Sequence, residues 1–205
     1  MLVTNVVKLS DNRFQIFIDN ERAFPLYGSE IGKYGLNPGE SISDEIYDNL
    51  RLMIISRIKE RIMYLIDSYE RSERDIFLKL TKAGYSEDLT NAAISDLKTY
   101  GYIDDVRFAQ NYAASLRDNR GKSRREIQLK LMEKGIDKDI IFSVLDDYSE
   151  DESELIKRAL LKKGINIEEI SSMDYKEKNK LYMFLSRRGF SSETIRHFIS
   201  AEGYE

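Results

Sequence analysis

The sequence predicts a mainly all-α protein, with three tandem three-helix repeats in an elongated curved array behind a small N-terminal β-hairpin or meander. Three observations carry that expectation. First, helix punctuation recurs. Gly84, Gly135 and Gly189 stand 51 and 54 residues apart, with an aliphatic residue eight positions before each (Ile76, Ile127, Leu181) and a leucine four before each (Leu80, Leu131, Leu185). Second, a capping residue with an acid three positions later opens the helix before each glycine: Ser72 with Asp75, Ser123 with Glu126, and Asp174 with Glu177. Third, strand-like alternation is confined to the start of the chain, where Phe14, Ile16 and Ile18 alternate with Arg13 and Gln15. A three-helix unit of this size cannot hide its apolar faces alone, so stacking of successive units must supply the burial. The expected units are a β element at 1–42 and helical repeats at 43–100, 101–149 and 150–205.

From the beginning, strands are expected over Val3–Leu9, the alternating run, and Ala23–Tyr27, separated by the turn-forming Ser10-Asp11-Asn12 and Asp19-Asn20-Glu21. Pro25 cannot donate to a ladder, which places the third strand at a sheet edge. So few strands are marginal alone and must lean on helices. Leu36-Asn37-Pro38-Gly39-Glu40 reads as the turn that closes this element. Ser43 then caps a helix beginning Asp44-Glu45, with Ile42 and Tyr47 at hydrophobic-staple spacing, and helical character runs to about Asp67 with room for one break. Ser72 opens the next helix, and Gly84-Tyr85-Ser86 supplies its stop, an apolar residue that folds back, and the cap of the helix that follows.

The middle of the chain starts at Gly101-Tyr102-Ile103-Asp104-Asp105. Asp104 suits an N-cap, Asp105 puts negative charge at the positive end of a helix dipole, and Ile103 with Phe108 repeats the staple spacing. Phe108, Tyr112 and Leu116, with Ala109 and Ala113 alongside, form one apolar stripe. A short Gly121-Lys122-Ser123 loop leads to a helix carrying Ile127 and Leu131, closed by Gly135-Ile136-Asp137. Ile140, Ile141, Val144, Leu145 and Tyr148 mark the helix after it. In the third repeat the cap Asp174 lies three residues further from its glycine, so that helix is longer or starts later.

Composition sets outer bounds. With 41% hydrophobic and 33% charged residues, the chain can bury a core behind a heavily charged surface, and only 2 Pro and 11 Gly exclude a low-complexity chain. The absence of Cys removes disulfide and thiolate chemistry and fits a reducing compartment. No apolar run approaches the ~18 residues of a membrane span, and Met1-Leu2-Val3-Thr4-Asn5 lacks the basic n-region of a signal peptide. A cytoplasmic location without a membrane partner is expected. A formal net charge of −4 argues against coating nucleic acid with the whole surface.

The block Gly101-Tyr102-Ile103-Asp104-Asp105 through Arg107-Phe108-Ala109, the Gly121-Lys122 loop, and Ile127, Leu131 and Lys134-Gly135-Ile136 together resemble the RecX family. Tyr69 to Ile76 and Lys82-Ala83-Gly84-Tyr85 extend the likeness upstream, so it covers about residues 57–148 by motif and 149–204 by repeat pattern alone. Arg71 departs from it, since the family often has Pro there, and only some members carry N-terminal strands. The resemblance implies a non-enzymatic regulator in DNA repair, recombination and the SOS response. Such a protein binds the RecA recombinase filament in its helical groove and inhibits ATP hydrolysis and strand exchange. It also implies that single- or double-stranded DNA is a further partner of some members. A monomer without cofactor is expected.

Charge is segregated independently of that likeness. From Leu116 to Lys134 seven bases face three acids, a local +4; from Asp137 to Glu177 twelve acids face six bases, a local −6. From Lys178 to Arg196, Lys178, Lys180, Arg187, Arg188 and Arg196 face Glu193 alone, again +4. Basic segments at equivalent places in successive repeats can form a stripe that meets phosphates or an acidic protein groove. The candidate partner- or DNA-binding residues are therefore Arg117, Arg120, Lys122, Arg124, Arg125, Lys130, Arg187 and Arg188. Asp104, Asp105, Arg107 and Phe108 carry the family motif and read as mostly structural. Two functional classes remain: a modulator of the RecA filament, which the resemblance implies, or a helical repeat that binds DNA directly.

An enzymatic reading has little support. His197 is the only histidine and lies beside Phe198 in a terminal helix, which suits packing or surface roles. Asp104 and Asp105 are adjacent at a helix start, where they point in different directions. Gly121-Lys122-Ser123 lacks the upstream glycine and strand of a phosphate-cradling loop. No catalytic, cofactor or metal site is expected.

Overall fold

Asp19 and Asn20 take φ of 50° and 69°, the paired positive values of a two-residue type I′ turn, and this turn joins two of the three strands. In the computed structural model, which describes residues 1–146 and 152–201, the strands are β1 (Val3–Ser10), β2 (Arg13–Ile18) and β3 (Glu21–Tyr27). They form an antiparallel sheet in the order β1-β2-β3, and Pro25 lies on an edge strand as its missing N–H demands. Ile16 pairs with Phe24, and both are buried with Val3, Ile18 and Leu26 on the face that meets the helices.

The alternation Arg13, Gln15 implies a solvated opposite face, yet Gln15 is buried. The turn after the second repeat-1 helix covers that face. Arg13 donates to the Ala83 carbonyl at 3.1 Å and lies over the Tyr85 ring, while Gly84 is close enough that a Cβ would come 3.0 Å from the Gln15 amide oxygen. Gln15 accepts in turn from Arg22 at 3.2 Å, so its buried oxygen is satisfied.

A short helix follows the sheet where the sequence signals no element, α1 (Gly28–Tyr34). It lacks an apolar stripe and has no buried residue, so periodicity could not reveal it. Glu30 holds it: its carboxylate accepts from the Tyr27 N–H at 2.8 Å and pairs with Arg57. The long helix α2 (Asp44–Ser68) is unbroken, with neither Gly nor Pro inside it, and buries Leu50, Ile54, Ile58 and Ile62. With α3 (Glu73–Lys82) and α4 (Glu87–Thr99) it completes the first three-helix repeat and shares one core with the sheet. Residues Met1–Asp104 form one compact unit.

The second unit starts at Asp105 and holds the other two repeats. Repeat 2 comprises α5 (Asp105–Arg120), α6 (Arg124–Glu133) and α7 (Lys138–Asp146), around Phe108, Ala113, Leu116, Ile127, Leu131 and Ile141. Repeat 3 comprises α8 (Glu152–Lys163), a 3₁₀ turn at Ile167–Glu169, α9 (Tyr175–Ser186) and α10 (Ser192–Ala201), around Ile156, Leu160, Leu181, Leu185 and Phe190. At twelve residues α9 is longer than the ten-residue α3 and α6, as its displaced cap implies. Tyr148 lies outside the described residues. The chain is thus mainly helical, three three-helix repeats behind a three-stranded sheet.

Four of the expected caps act as their spacing requires. Ser43, Ser72, Ser123 and Asp174 each accept from the backbone N–H three residues on. Ser86 holds the N-cap position of α4, but its side chain makes no capping bond. At the other end of α6, Gly135 has φ 76°, its N–H reaches the Met132 carbonyl at 2.9 Å, and the Ile136 N–H reaches that of Leu131 at 3.1 Å, a Schellman closure. Replacing Gly135 with alanine is expected to destabilise the protein by about 1 kcal/mol. An unchanged melting temperature would show that this conformation carries no strain for an L-residue.

Candidate partner interface

The two basic segments converge because repeat 2 and repeat 3 are joined through them. The Gly121–Ser123 loop ends α5 and opens α6, and the Arg187–Gly189 turn ends α9. At their meeting, the Ser123 N–H donates to the Arg188 carbonyl at 3.0 Å. Lys122 reaches the Arg187 carbonyl at 3.4 Å and the Glu126 carboxylate at 3.3 Å. The negative C-terminus of α9 therefore docks on the positive N-terminus of α6, a favourable pairing of helix dipoles. Arg124 and Arg125, whose position in the first turn of a helix is unfavourable in isolation, sit beside an end that α9 partly neutralises.

The joint also explains why two similar caps differ. In repeat 3 the Glu177 carboxylate returns to the Asp174 N–H at 3.1 Å and completes a capping box. In repeat 2 the equivalent Glu126 turns to Lys122 instead, because the Ser123 N–H is already engaged by the neighbouring repeat. Ser123 is fully buried by this contact. Close backbone approach does the rest: a Cβ on Gly189 would stand 2.7 Å from the Glu126 Cβ and 2.8 Å from the Ser123 hydroxyl. One on Gly121 would stand 3.0 Å from the Ala159 Cβ of α8.

The described cations of the stripe differ in their environments. Arg117 hydrogen-bonds Asp118 at 2.7 Å, and Arg158 of α8 lies 3.5 Å from the same carboxylate. The hydrogen bond from Arg117 holds the Asp118 carboxyl below its usual range, with the charges of Arg117, Arg158 and Lys162 assisting and partial burial opposing. Any stability from this cluster is present above the ordinary carboxylate pKa and is lost as pH falls through the lowered one. Lys130 pairs with Glu133 at 2.8 Å, which raises its pKa. Arg188 stacks on Phe184, with its guanidinium carbon 3.8 Å from the ring centroid, and burial lowers its pKa. Among the described residues, the ion pair of Arg124 is a long exposed one with Asp146, at 3.9 Å. Arg125 and Arg187 are exposed and make no ion pair with the described residues. The side chain of Arg120 lies outside the described residues.

The motif residues sit around the start of α5. Asp104 directly precedes the helix and Asp105 opens it, both half-buried; Arg107 is exposed. Phe108 is buried and stacks on Tyr112, centroids 5.4 Å apart, within the repeat-2 core. Ile103 is buried with the core of the first unit, so the two staple positions belong to different clusters. Among the described residues, no group of three or more His, Cys, Asp or Glu could hold a metal ion, and no helix is long and apolar enough to cross a membrane.

Comparison with known proteins agrees with this architecture. Residues 104–145 match the family description "RecX, second three-helix domain", and residues 150–199 match "RecX, third three-helix domain". A regulatory protein RecX of Clostridium botulinum (strain Eklund 17B / Type B) is 30% identical over 202 residues, covering 95% of this chain and 92% of the relative. A regulatory protein RecX of Mycobacterium avium (strain 104) is 33% identical over 138 residues, covering 67% of this chain and 80% of the relative. A crystal structure of regulatory protein RecX aligns with a TM-score of 0.61 at 22% identity, covering 98% of each chain. One of RecX from Lactobacillus salivarius aligns with a TM-score of 0.59 at 23% identity, covering 72% of this chain and 96% of that one. These solved structures speak for the fold alone.

Proposed function

This chain belongs to the RecX family, and on that premise we propose that it binds the RecA nucleoprotein filament and inhibits its ATPase and recombinase activities, without being an enzyme itself. The observation that supports this reading is the joint between repeats 2 and 3. It brings two basic segments separated by an acidic stretch to one place, with Arg125 and Arg187 exposed and in no ion pair with the described residues, the Arg187 Nε donating to the Met183 carbonyl at 3.1 Å. A partner with a negative surface, acidic protein groove or DNA backbone, complements that arrangement. On this reading the protein is a cytoplasmic monomer, and the repeats at 43–100, 101–149 and 150–205 are its working units.

Retention of the full-length chain on immobilised RecA, with and without DNA, tests the proposal together with DNA-dependent ATP hydrolysis by RecA. The expected result is retention on the filament and reduced hydrolysis. Equal retention on bare DNA with unchanged hydrolysis would establish the direct DNA-binding reading in its place.

A further inference from the structure

Repeat 2 differs from its neighbours where its last two helices face each other. Counted from Gly84, Gly135 and Gly189, the residues seven places before are Phe77, Gln128 and Tyr182. Phe77 packs against the first core. Tyr182 packs against the third, and its hydroxyl donates at 2.7 Å to Ser192, the first residue of α10. A ring thus bridges α9 and α10, whereas Gln128 leaves the corresponding space between α6 and α7 as an open groove of about 510 Å³. The groove's floor is Ile141 and Leu145, both buried. Its walls are Met132, 44% exposed, and Phe142, 68% exposed. At the same two places repeat 1 has Thr81 and Asn91, and repeat 3 has Ser186 and Arg196. Repeat 2 therefore keeps apolar surface in water where the other repeats are polar. We propose that this groove receives an amphipathic helix of a protein partner, apolar on its buried side and acidic at the end that meets Arg124. The groove needs neither the basic joint nor a recombinase, so it stands apart from the filament reading.

Backbone chemistry selects a helix. The interior N–H and C=O groups of α6 and α7 are spent on their own hydrogen bonds and offer an extended strand no ladder. The occupant must then satisfy its backbone internally. Length agrees. Arg124, Gln128 and Met132 follow one another at spacings of four along α6, about 12 Å at 1.5 Å per residue, which a little over two helical turns match. Apolar side chains at i, i+4 and i+7 of such a helix would lie along the floor.

Charge fixes which end is acidic. Near the Gly135 turn, Lys138 stands beside Asp139, and the Asp137 carboxylate accepts from the Asp139 N–H at 2.8 Å, so that end is balanced. At the other end Arg124 is exposed, and its 3.9 Å pair with Asp146 is long enough for a closer carboxylate to replace. Nucleic acid is the poorer occupant. The stretch from Asp137 to Asp146 sets Asp137, Asp139 and Asp146 against Lys138 alone, which repels phosphates.

The probe is a fluorescein-labelled designed helix about four turns long, alanine-based, with leucines at i, i+4 and i+7 and a pair of glutamates at one end. Its anisotropy is followed with the full-length protein and no recombinase. Saturable binding is expected. It should weaken roughly tenfold or more in Phe142→Asn, which installs the residue of repeat 1, and in Gln128→Phe, which fills the groove as repeat 1 does. Gln128→Phe is the sharper variant, because it adds apolar surface while closing the space, and a merely sticky surface would bind more. Both positions are exposed, and circular dichroism verifies folding. A peptide with glutamines in place of the glutamates should bind more weakly and with less salt dependence. Absence of saturable binding, equal binding of a scrambled peptide, or wild-type affinity of either variant would overturn the groove. Equal affinity of the glutamine peptide would overturn its acidic end. Displacement by oligothymidylate would assign the groove to nucleic acid, and a dimer in sedimentation that Phe142→Asn dissociates would assign it to a second copy; either result overturns the partner helix. Inhibition of RecA hydrolysis by the same variants is read separately, which tells failure of the groove from failure of the filament reading.

Discussion

Gly189→Ala is expected to be the most destabilising single substitution in the joint between repeats 2 and 3, costing on the order of 3 kcal/mol or more. Two terms add. At φ 87° an L-residue pays about 1–2 kcal/mol of backbone strain. The added methyl would also stand 2.7 Å from the Glu126 Cβ, an atom fixed to the first turn of α6 and unable to swing aside. Relieving that overlap means separating the two repeats, at a further 1–3 kcal/mol or so by analogy with overpacked cores. Gly135→Ala shares the first term, so the two variants form a matched pair in thermal or denaturant unfolding of the whole chain. A Gly189→Ala protein no less stable than Gly135→Ala would show that the close approach at the joint contributes nothing.

The repeats were legible because helix stops and starts are local chemistry. Leu80, Leu131 and Leu185 are all fully buried, and the cap–acid pairs set the helix starts they imply. What escaped depends on tertiary contact. Gln15 reads as a solvated strand residue until the Ala83–Tyr85 turn covers it, and α1 is held by a Glu30–Arg57 pair 27 residues apart. The basic stripe was visible as charge, but its internal use was not. Lys122 and Arg188 belong to the joint, and no pattern in the sequence distinguishes them from the exposed Arg125 and Arg187. Counting charge by segment also concealed Lys163. It falls in the stretch from Asp137 to Glu177, whose net charge is −6, yet folding places it around one shallow pocket with Lys180 and Arg187 from the following basic segment.

Reversing Arg124, Arg125 and Arg187 to glutamate is expected to leave the fold intact and to weaken inhibition of RecA at least tenfold. Arg125 and Arg187 lack ion-pair partners among the described residues, and the exposed 3.9 Å pair of Arg124 with Asp146 is worth little, in the range of 0–1 kcal/mol. Stability should therefore change only slightly. The formal net charge moves from −4 to −10, since each of three reversals subtracts two. A cationic surface that steers toward a negative filament is then weakened, which slows association and reduces the salt sensitivity of binding. If DNA phosphates are what this surface meets, the slope of log affinity against log salt should fall by close to one unit per lost contact. Lys122 is deliberately outside this set. Glutamate there would face Glu126 and abandon the Arg187 carbonyl, so lost inhibition would report a broken joint and not a lost contact. Wild-type inhibition by the folded triple variant across salt concentrations would remove this surface from the interface with RecA.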